Sequence, residues 1–462
     1  MGIETTQIGI AQIGTTRRVV MRAAGGVAAV VGLLSLVRCG AGQSAPAADA
    51  PRPSGQPVTL RYLARGSQAN LDIQRNGVAA FEQANPKIKI QFDVATNYFE
   101  KLRTELASGD TSDVAFTAQG GAQALANDGG LMAMDPFIAR DVKPGDYYDY
   151  ALESGRHKGK SYVFPYDGGT FALAYNKQLF DNAQLPYPDD TWTWEKYAQV
   201  AARLTVDRNG KRADDSGFDP RQIAQYGSTS IRGDYWYYIW ANGGDILTKD
   251  KQKSTLDSRE ALDTIQWLAD LHTKWVIMPS PKFPEADPAA VAGDVGFTAG
   301  RVALSPHGRW RVSEYRRLAQ FAWDVAPMPK GKAGRAAYGW FSGMSIISGS
   351  KAAAEAWEFC KFWGSEPGQR LVTERGQAVP AMPKLATGPL FLTSSPPTNN
   401  KAYLEAIKDA RQPPAAYILD GAAYGEILNP VLNAIWAGEQ VAHVGIPPLV
   451  SQLNSVLARG RT

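Results

Sequence analysis

Residues that build metal centres and cross-links are scarce in this sequence of 462 residues. It contains two cysteines, Cys39 and Cys360, and four histidines. Two cysteines cannot form a disulfide framework or a four-cysteine zinc site, and four histidines leave little for a histidine-based metal centre. We therefore expect no metal and no cofactor. The composition, 44% hydrophobic and 20% charged, is ordinary for a soluble globular protein with a substantial core.

An excess of one charge is also lacking. The formal net charge is +4, but residues 1–38 hold four arginines and one glutamate, which leaves 45 basic against 44 acidic side chains in the rest of the chain. A near-neutral body lacks the positive surface that nucleic acid binding requires, so we expect no nucleic-acid partner. The basic run from Arg309 to Arg317 is interpreted as the solvated face of a helix.

The apolar stretch near the N-terminus is too short to remain in a membrane. Residues Ala23 to Val37 form 15 apolar or small residues, whereas a membrane-spanning helix needs ~20. Because arginines flank this stretch, we predict that residues 1–38 are a signal peptide that is removed on export. The pair Arg17-Arg18 is typical of the twin-arginine route, and a general secretory signal with adjacent arginines explains it equally well.

Cys39 directly follows the apolar stretch. The segment Leu36-Val37-Arg38-Cys39-Gly40 resembles a bacterial lipobox, in which the cysteine is lipidated, although Arg38 stands where a small residue is usual. The alternative is a free cysteine near an ordinary cleavage site. Residues 39–57, rich in Ala, Gly, Ser and Pro, are predicted to form a flexible tether. We expect a protein that works outside the cytoplasm, anchored to the cell membrane as a lipoprotein.

Strand and helix patterns alternate at the start of the body. Val58, Leu60 and Tyr62 alternate with polar residues, as do apolar residues over 88–94, and a buried run covers 114–116. Helical patterns over 69–83 and 98–107 separate these strands. This βαβ rhythm predicts a parallel sheet covered by helices, with ligands bound beyond the carboxyl ends of the strands. Thr193 is predicted to cap a helix that runs to Leu204, and residues 257–275 form the clearest amphipathic helix.

Catalytic motifs are absent from the sequence. It has no Gly-x-Ser-x-Gly elbow, no His-Glu-x-x-His helix and no phosphate loop. Cys360 lies in a helical apolar pattern, which indicates a buried hydrophobe and not a nucleophile. Two carboxylates that meet in space to hydrolyse glycosides stay an open alternative, but nothing in the sequence singles out such a pair.

Seven motifs together indicate a known family. The chain resembles extracellular solute-binding proteins of ABC importers, specifically the large sugar-binding group (family 1) that includes maltose-binding proteins. The resemblance spans about Val58 to Leu457. Its motifs, in the order of the family, are 106–114 (LASGDTSDV), 165–169 (PYDGG) leading to 175–177 (YNK), 241–245 (ANGGD), 300–303 (GRVA), 308–310 (GRW), 326–331 (APMPKG) and 339–343 (GWFSG).

The resemblance implies an α/β fold of the type II periplasmic-binding-protein class. Two lobes, each a doubly wound sheet, would close on a hinge over a solute in the cleft between them. One lobe should hold residues 58–167 plus 342–385, and the other residues 168–341 plus 386–462. The family also implies a non-enzymatic receptor, expected to be a monomer, that delivers sugar or oligosaccharide to the permease subunits of an ABC transporter.

Aromatic side chains are the first candidates for the binding site. A sugar ring has apolar faces and a rim of hydroxyls, so aromatic plates and planar hydrogen-bonding groups suit it. By resemblance, Trp310 and Trp340, the latter preceded by Gly339, occupy stacking positions, although either could instead be a core residue. Within the cluster 235–240, Trp236 is the better candidate for the cleft, and its neighbours are expected to pack. Five other tryptophans are interpreted as structural: Trp192, Trp194, Trp267, Trp357 and Trp363.

Polar candidates follow from the same resemblance. Asp167, in a glycine-rich turn after Tyr166, is expected either to accept bonds from two sugar hydroxyls or to form the turn. Gln68, Gln119 and Tyr424 fall in segments that line the cleft in relatives.

Two alternatives to a sugar receptor stay open: a receptor for another solute on the same fold, and a secreted glycosidase. A receptor for glycerol phosphate would want an arginine or a helix N-terminus in its cleft, and a polyamine receptor would want several acids. A secreted glycosidase would need two carboxyls about 5–10 Å apart.

Overall fold

A computed structural model describes residues 50–118, 121–230, 234–282, 293–408 and 410–459. The signal peptide predicted for residues 1–38, the predicted lipidation site Cys39 and the candidate Gln119 lie outside the described residues. The strands are β1 (Val58–Ala64), β2 (Ile88–Val94), β3 (Val114–Ala118), β4 (Arg156–His157), β5 (Lys160–Ser161), β6 (Phe164–Gly169), β7 (Phe171–Asn176), β8 (Val206–Asp207), β9 (Ile223–Ser228), β10 (Val302–Gly308), β11 (Trp323–Ala326), β12 (Ala337–Tyr338), β13 (Trp340–Ile346) and β14 (Ala410–Arg411).

Helices surround these strands along the whole described chain. They are α1 (Gln68–Ala84), α2 (Tyr98–Ser108), α3 (Gly121–Asn127), α4 (Asp135–Asp141), α5 (Asp149–Glu153), α6 (Lys177–Asn182), α7 (Trp194–Leu204), α8 (Tyr235–Ala241), α9 (Arg259–Thr273), α10 (Gly293–Thr298), α11 (Val312–Leu318), α12 (Ala353–Gly364), α13 (Glu366–Glu374), α14 (Pro383–Ala386), α15 (Pro389–Leu392), α16 (Lys401–Ile407), α17 (Gly421–Ala437), α18 (Ala442–Gly445) and α19 (Val450–Arg459).

Two five-stranded sheets form the centres of two lobes. In the first lobe the order is β2-β1-β3-β13-β6, with β1 parallel to both β2 and β3 and with β13 antiparallel to β3 and β6. In the second lobe the order is β11-β7-β10-β9-β8, with β10 parallel to β9 and antiparallel to β7. The predicted βαβ start is confirmed, because the alternating apolar residues of β1 and β2 bury one face of the first sheet.

Local capping and packing follow the sequence closely. The Thr193 side chain accepts a hydrogen bond from the amide of Lys196 and caps α7, as predicted. Trp192, Trp194, Trp357 and Trp363 are buried, and the half-buried Trp267 stacks on Trp194 at 4.4 Å. Cys360 is completely buried, and burial raises the pKa of its thiol well above the usual value. The interpretation of these residues as structural is therefore confirmed.

The chain passes between the lobes three times. It leaves the first sheet at the end of β6 and enters the second at Phe171, with Thr170 between them. It returns between Tyr338, in the second core, and Phe341, in the first. The chain changes lobe again between Ala381, which packs in the first core, and Ala386, which packs with the second sheet. The lobe boundaries predicted at 167/168, 341/342 and 385/386 stay predictions.

The Asp167 carboxylate connects these three crossings. It lies at the end of β6, opposite Ser342 of β13, and accepts hydrogen bonds from Ser342 and, over 3.1 Å, from Gln377 Nε2. Ser313 of α11, in the second lobe, donates its hydroxyl to Gln377 Oε1 at 2.7 Å. Burial raises the pKa of Asp167, and these hydrogen bonds oppose that shift.

Two other expectations differ from the structure. Arg309 is completely buried, so the interpretation of the basic run as a solvated helix face is wrong at this residue. Its guanidinium lies over the rings of Phe391 and Tyr403, which a charge pattern alone cannot reveal. Residues 50–57, part of the predicted tether, contact the first lobe. Arg140 Nη1 donates to the carbonyls of Ala50 and Pro51, and Glu355 accepts two bonds from Ser54.

No helix within the described residues is both long and apolar enough to cross a membrane.

Gln377→Ala is expected to destabilise the protein by about 1–3 kcal/mol, because Asp167 loses a donor and Ser313 loses its acceptor in a buried site. Since the bond from Gln377 lowers the pKa of Asp167, its loss costs more as the pH rises and the carboxylate ionises. Urea denaturation at pH 5 and pH 8 measures both effects.

The matched control for this variant is Gln83→Ala on the exposed side of α1, which should change stability by no more than about 0.5 kcal/mol. An equal effect of the two variants would show that the connection through Gln377 contributes nothing to stability.

Candidate functional site

Trp310 lies beside the first crossing between the lobes. It follows β10 in a single turn of 3-10 helix over Arg309–Arg311. Its ring folds back over Gly308, where a Cβ would lie only 2.0 Å from ring atoms, and a Cβ on Gly169 would come within 3.5 Å of the same ring. Gly308 is therefore required for the indole to take this position, whereas a side chain at Gly169 would instead crowd Arg309, at 3.0 Å from its Cβ.

Four aromatic side chains continue from this point as a row, which we call the aromatic row: Trp310, Tyr338, Trp236 and Trp240. The Tyr338 ring lies 6.4 Å from Trp310 and 4.6 Å from Trp236, nearly perpendicular to both. Trp236 and Trp240 are one turn apart on α8, with ring centroids 5.2 Å apart. Phe171, at the start of β7, supports the row from behind by packing on Trp310 and Tyr338.

Exposure differs along the aromatic row in a way that matters for binding. Tyr338 and Trp240 are buried, whereas Trp310 and Trp236 are only partly buried. Trp240 Nε1 donates to Asp245 Oδ1 at 2.9 Å, which fixes the ring. The two partly buried indoles therefore offer apolar surface that a ligand can cover, held by two rings with fixed positions.

Charged groups stand next to the row. Asp234, the residue before α8, is partly buried and interacts electrostatically with Tyr338 and with Arg311. Burial raises the pKa of Asp234 to about 7, and Arg311 opposes this shift. Arg311 Nε lies 2.9 Å from Asp294 Oδ2, and Asp294 in turn accepts the hydroxyl of Tyr315 at 2.5 Å. The row thus has both an acid that titrates near neutrality and a paired arginine beside it.

The candidates proposed from the sequence differ in where they lie relative to the aromatic row. Trp310 and Trp236 come together in the aromatic row. Gly339 lies beside it, between Tyr338 and β13, and its amide donates to the carbonyl of Arg411. A Cβ at Gly339 would meet Ala410 and Tyr150 at 2.7 and 2.8 Å, so this close approach requires glycine. Trp340 pairs with Gly169 through β13 and β6, and its side chain is outside what the structure describes.

Other candidates lie in places that favour structural roles. Tyr166 is completely buried in the core of the first lobe, where its hydroxyl donates to Asn70 at 2.6 Å. Tyr424 is buried in the second core, and its hydroxyl contacts Ser254. Asp167 is 6% exposed and bonded within the hinge. Gln68 is exposed on the first turn of α1 and donates to Asp72.

Three residues of the site were missed by the sequence analysis. Tyr338 precedes the Gly339-Trp340 motif, and Asp234 precedes Trp236 by two residues, so a search of each motif's flanks could have found both. Arg411 pairs with Tyr338 in register across β12 and β14 and lies over the Trp240 ring at 5.7 Å. No local sequence signal links Arg411 to residues more than seventy positions away.

Metal binding finds no support in the described residues, since they contain no group of three or more His, Cys, Asp or Glu side chains that could hold an ion.

The chain belongs to the bacterial extracellular solute-binding protein family, whose model matches residues 68–370. An ABC substrate-binding protein of Listeria monocytogenes, solved in complex with cycloalternan, superposes with a TM-score of 0.76 at 22% identity, covering 87% of this chain and 99% of that one. UgpB of Mycobacterium tuberculosis, solved with glycerophosphocholine, gives 0.74 at 17% identity over 88% and 100%. These likenesses confirm the predicted two-lobed fold of the type II periplasmic-binding class.

Among curated relatives, the galactooligosaccharide-binding protein of Bacillus subtilis is 23% identical over 373 residues, which are 78% of this chain and 80% of that protein.

Asp234→Asn is expected to remove a pH dependence of stability. The folded-state pKa of about 7 lies above the unfolded value of ~3.9, so the folded protein binds the extra proton, and wild-type stability falls as the pH rises between those values. The variant should match the wild type near pH 4 and then gain on it by up to about 1.4 kcal/mol per pH unit until about pH 7. Thermal denaturation of both proteins between pH 4 and pH 9 measures this difference.

Asp128→Asn, at an exposed site in the first lobe, is the matched control and should leave the wild-type pH profile unchanged. Comparing variant with wild type cancels the contribution of the buried His307, whose pKa burial lowers to about 4. A constant difference between Asp234→Asn and wild type across the whole pH range would contradict the prediction.

Proposed function

We propose that this protein is an extracytoplasmic receptor that binds a sugar or oligosaccharide and delivers it to an ABC transporter by closure of the lobes. The observation that carries this proposal is the aromatic row beside the crossings between the lobes, with Trp310 and Trp236 partly open to a ligand. Family membership supports the receptor role. The ligand-bound structures of relatives, which hold cycloalternan and α-D-tagatose, agree with a saccharide.

The chemistry of the row suits a sugar. The faces of a pyranose ring present C–H groups that pack on indole, while its hydroxyls need acceptors and donors at the edge of the same site. Asp234 can accept from hydroxyls, and Arg311 can donate to them. A carboxylate that is already partly desolvated costs little further desolvation when a ligand covers it, so its hydrogen bonds favour binding.

The receptor is proposed to be non-enzymatic. The acids beside the aromatic row each lie near a basic group. Asp245, bonded to Trp240, pairs with Lys251 at 3.5 Å. Asp294 pairs with Arg311 at 2.9 Å, and Arg311 also interacts electrostatically with Asp234. A glycosidase needs one protonated and one free carboxyl on either side of the scissile bond. Relatives in the family are binding proteins, which agrees with capture and release in place of turnover.

Lipid anchoring through Cys39 and export by the twin-arginine or the general route are part of the proposal and rest on the sequence alone. A monomer that hands its solute to membrane permease subunits fits the same family. The contacts of residues 50–57 with Arg140 and Glu355 mean that a lipid anchor would hold the protein through the first lobe.

Trp310→Ala and Trp236→Ala are each expected to weaken saccharide binding tenfold or more, because each removes apolar surface that stacks on the sugar. A thermal-shift screen against mono-, di- and oligosaccharides identifies the ligand, and calorimetry then measures its dissociation constant. A saccharide at a hundred times that constant should stabilise the wild type by ~2.7 kcal/mol.

Trp275→Ala is the matched control, because this tryptophan is 42% exposed and lies outside the aromatic row. Binding of glycerol phosphate or a polyamine with no response to any saccharide would exclude a sugar receptor while keeping the fold. Appearance of hydrolysis products in the saccharide mixtures would instead establish a glycosidase.

A further inference from the structure

Arg411 completes one end of the aromatic row. In the parallel pair of β12 and β14 it stands opposite Tyr338, and partners in register point to the same side of a sheet. Its guanidinium lies over Trp240, Trp240 packs on Trp236, and Trp236 packs on Tyr338. These four side chains therefore surround one end of the site.

A cavity of about 260 Å³ opens next to them. It is lined by Trp240, the Gly243-Gly244 turn, Ala333, Ala336 and two arginines, Arg335 and Arg411, with no acidic residue. A complete small-molecule site measures roughly 300–1,000 Å³, so this space suits one end of a ligand whose remainder lies along the row. Gly243 has a φ of 90°, which favours glycine, and because glycine has no side chain the wall is open at this position.

The two arginines differ in the ion pairs and hydrogen bonds that they form within the protein. Arg335 Nη1 donates to Asp190 Oδ1 at 2.7 Å, and its Nε and Nη2 donate to the carbonyls of Met328 and Asp190. Arg411 is exposed and forms no ion pair or side-chain hydrogen bond with any residue that the structure describes. Its guanidinium lies 5.7 Å from the centre of the Trp240 ring, and its five N–H donors have no hydrogen-bond partner among the described residues.

Acids near this end of the row each lie beside a basic group. Asp245 is shared between Trp240 Nε1 and Lys251 Nζ, the latter at 3.5 Å. Asp234, which interacts with Tyr338, is associated with Arg311. The cavity itself is lined by two arginines and no acid, and this lining favours an anion.

We infer that the ligand is an acidic saccharide whose anionic group, a carboxylate or a phosphate ester, is bound by the guanidinium of Arg411 in the cavity at the end of the aromatic row. The inference rests on the proposed sugar-binding function and specifies its substrate class. A planar guanidinium matches both anions through paired N–H···O bonds, whereas a neutral hydroxymethyl group at the same place gains no charge-assisted bond.

The test compares saccharides that differ at a single group. Calorimetry at low salt is carried out with glucose against glucuronate, galactose against galacturonate, cellobiose against cellobiouronic acid, and maltose against maltose 6′-phosphate. In at least one pair the acid should bind tenfold or more tightly than its neutral partner. The uronate and phosphate arms distinguish the two sources of negative charge, and the advantage should shrink in 0.5 M salt.

Variants separate charge recognition from packing. Arg411→Ala should abolish the preference for the acid, and Arg411→Lys should keep part of it, because lysine retains the charge but not the paired geometry. Arg103→Ala, which removes an equal charge from the exposed side of α2, should leave the preference intact. Circular dichroism verifies that each variant is folded.

Three results would overturn the inference. Tighter binding of the neutral member in every pair would do so, as would equal binding of both members. Equal weakening of both members by Arg411→Ala would show that this arginine only covers Trp240. In all three cases saccharides still bind, so the proposed receptor function survives. Failure of every saccharide, neutral or acidic, would reject the receptor function and this inference together.

Discussion

A buried carboxylate, with no basic partner among the residues that the structure describes, joins the three crossings between the lobes. Asp167 lies near the end of the strand from which the chain leaves the first lobe. Its carboxylate accepts hydrogen bonds from Ser342, on the strand that returns to this lobe, and from Gln377, in the segment before the chain leaves it again. Through Gln377 it reaches Ser313 on the second lobe. A salt bridge at this place would bury a second charge, whereas here neutral hydroxyl and amide donors satisfy the carboxylate.

The aromatic row is positioned by the same crossings. Gly308, at the end of β10, leaves room for the Trp310 ring, while Phe171, just after the first crossing, packs on Trp310 and Tyr338. Tyr338 itself lies immediately before the return to the first lobe. The row therefore lies close to the crossings, where a change of lobe angle displaces the walls least. Under the proposed function, contacts that a ligand makes only in the closed state would provide the free energy for closure.

Local patterns predicted the secondary structure well and the tertiary site only in part. The start of β1 and the cap of α7 at Thr193 could be read directly, because strand alternation and helix capping are local. Trp310 came from a family motif, and Trp236 came from the aromatic cluster over 235–240 by resemblance. Arg309, by contrast, belongs to a basic run that indicated a solvated surface, yet its guanidinium is buried between Phe391 and Tyr403 and bonded to Asn400 at 2.6 Å. No sequence pattern near Arg309 predicts these contacts, because the partners lie far away along the chain.

Tyr166 and Arg411 both lie where the motifs do not predict them, Tyr166 in the core and Arg411 beside the aromatic row. Tyr166 sits in a family motif, but residues alternate across a strand, and β6 directs this ring into the first core beside Trp363, while the next residue, Asp167, meets the hinge. Arg411 belongs to no motif, and it reaches the site only because two-residue strands pair it with Tyr338. A motif position therefore does not guarantee a place at the aromatic row, and Arg411 shows that a residue outside every motif can reach it through the pairing of two short strands.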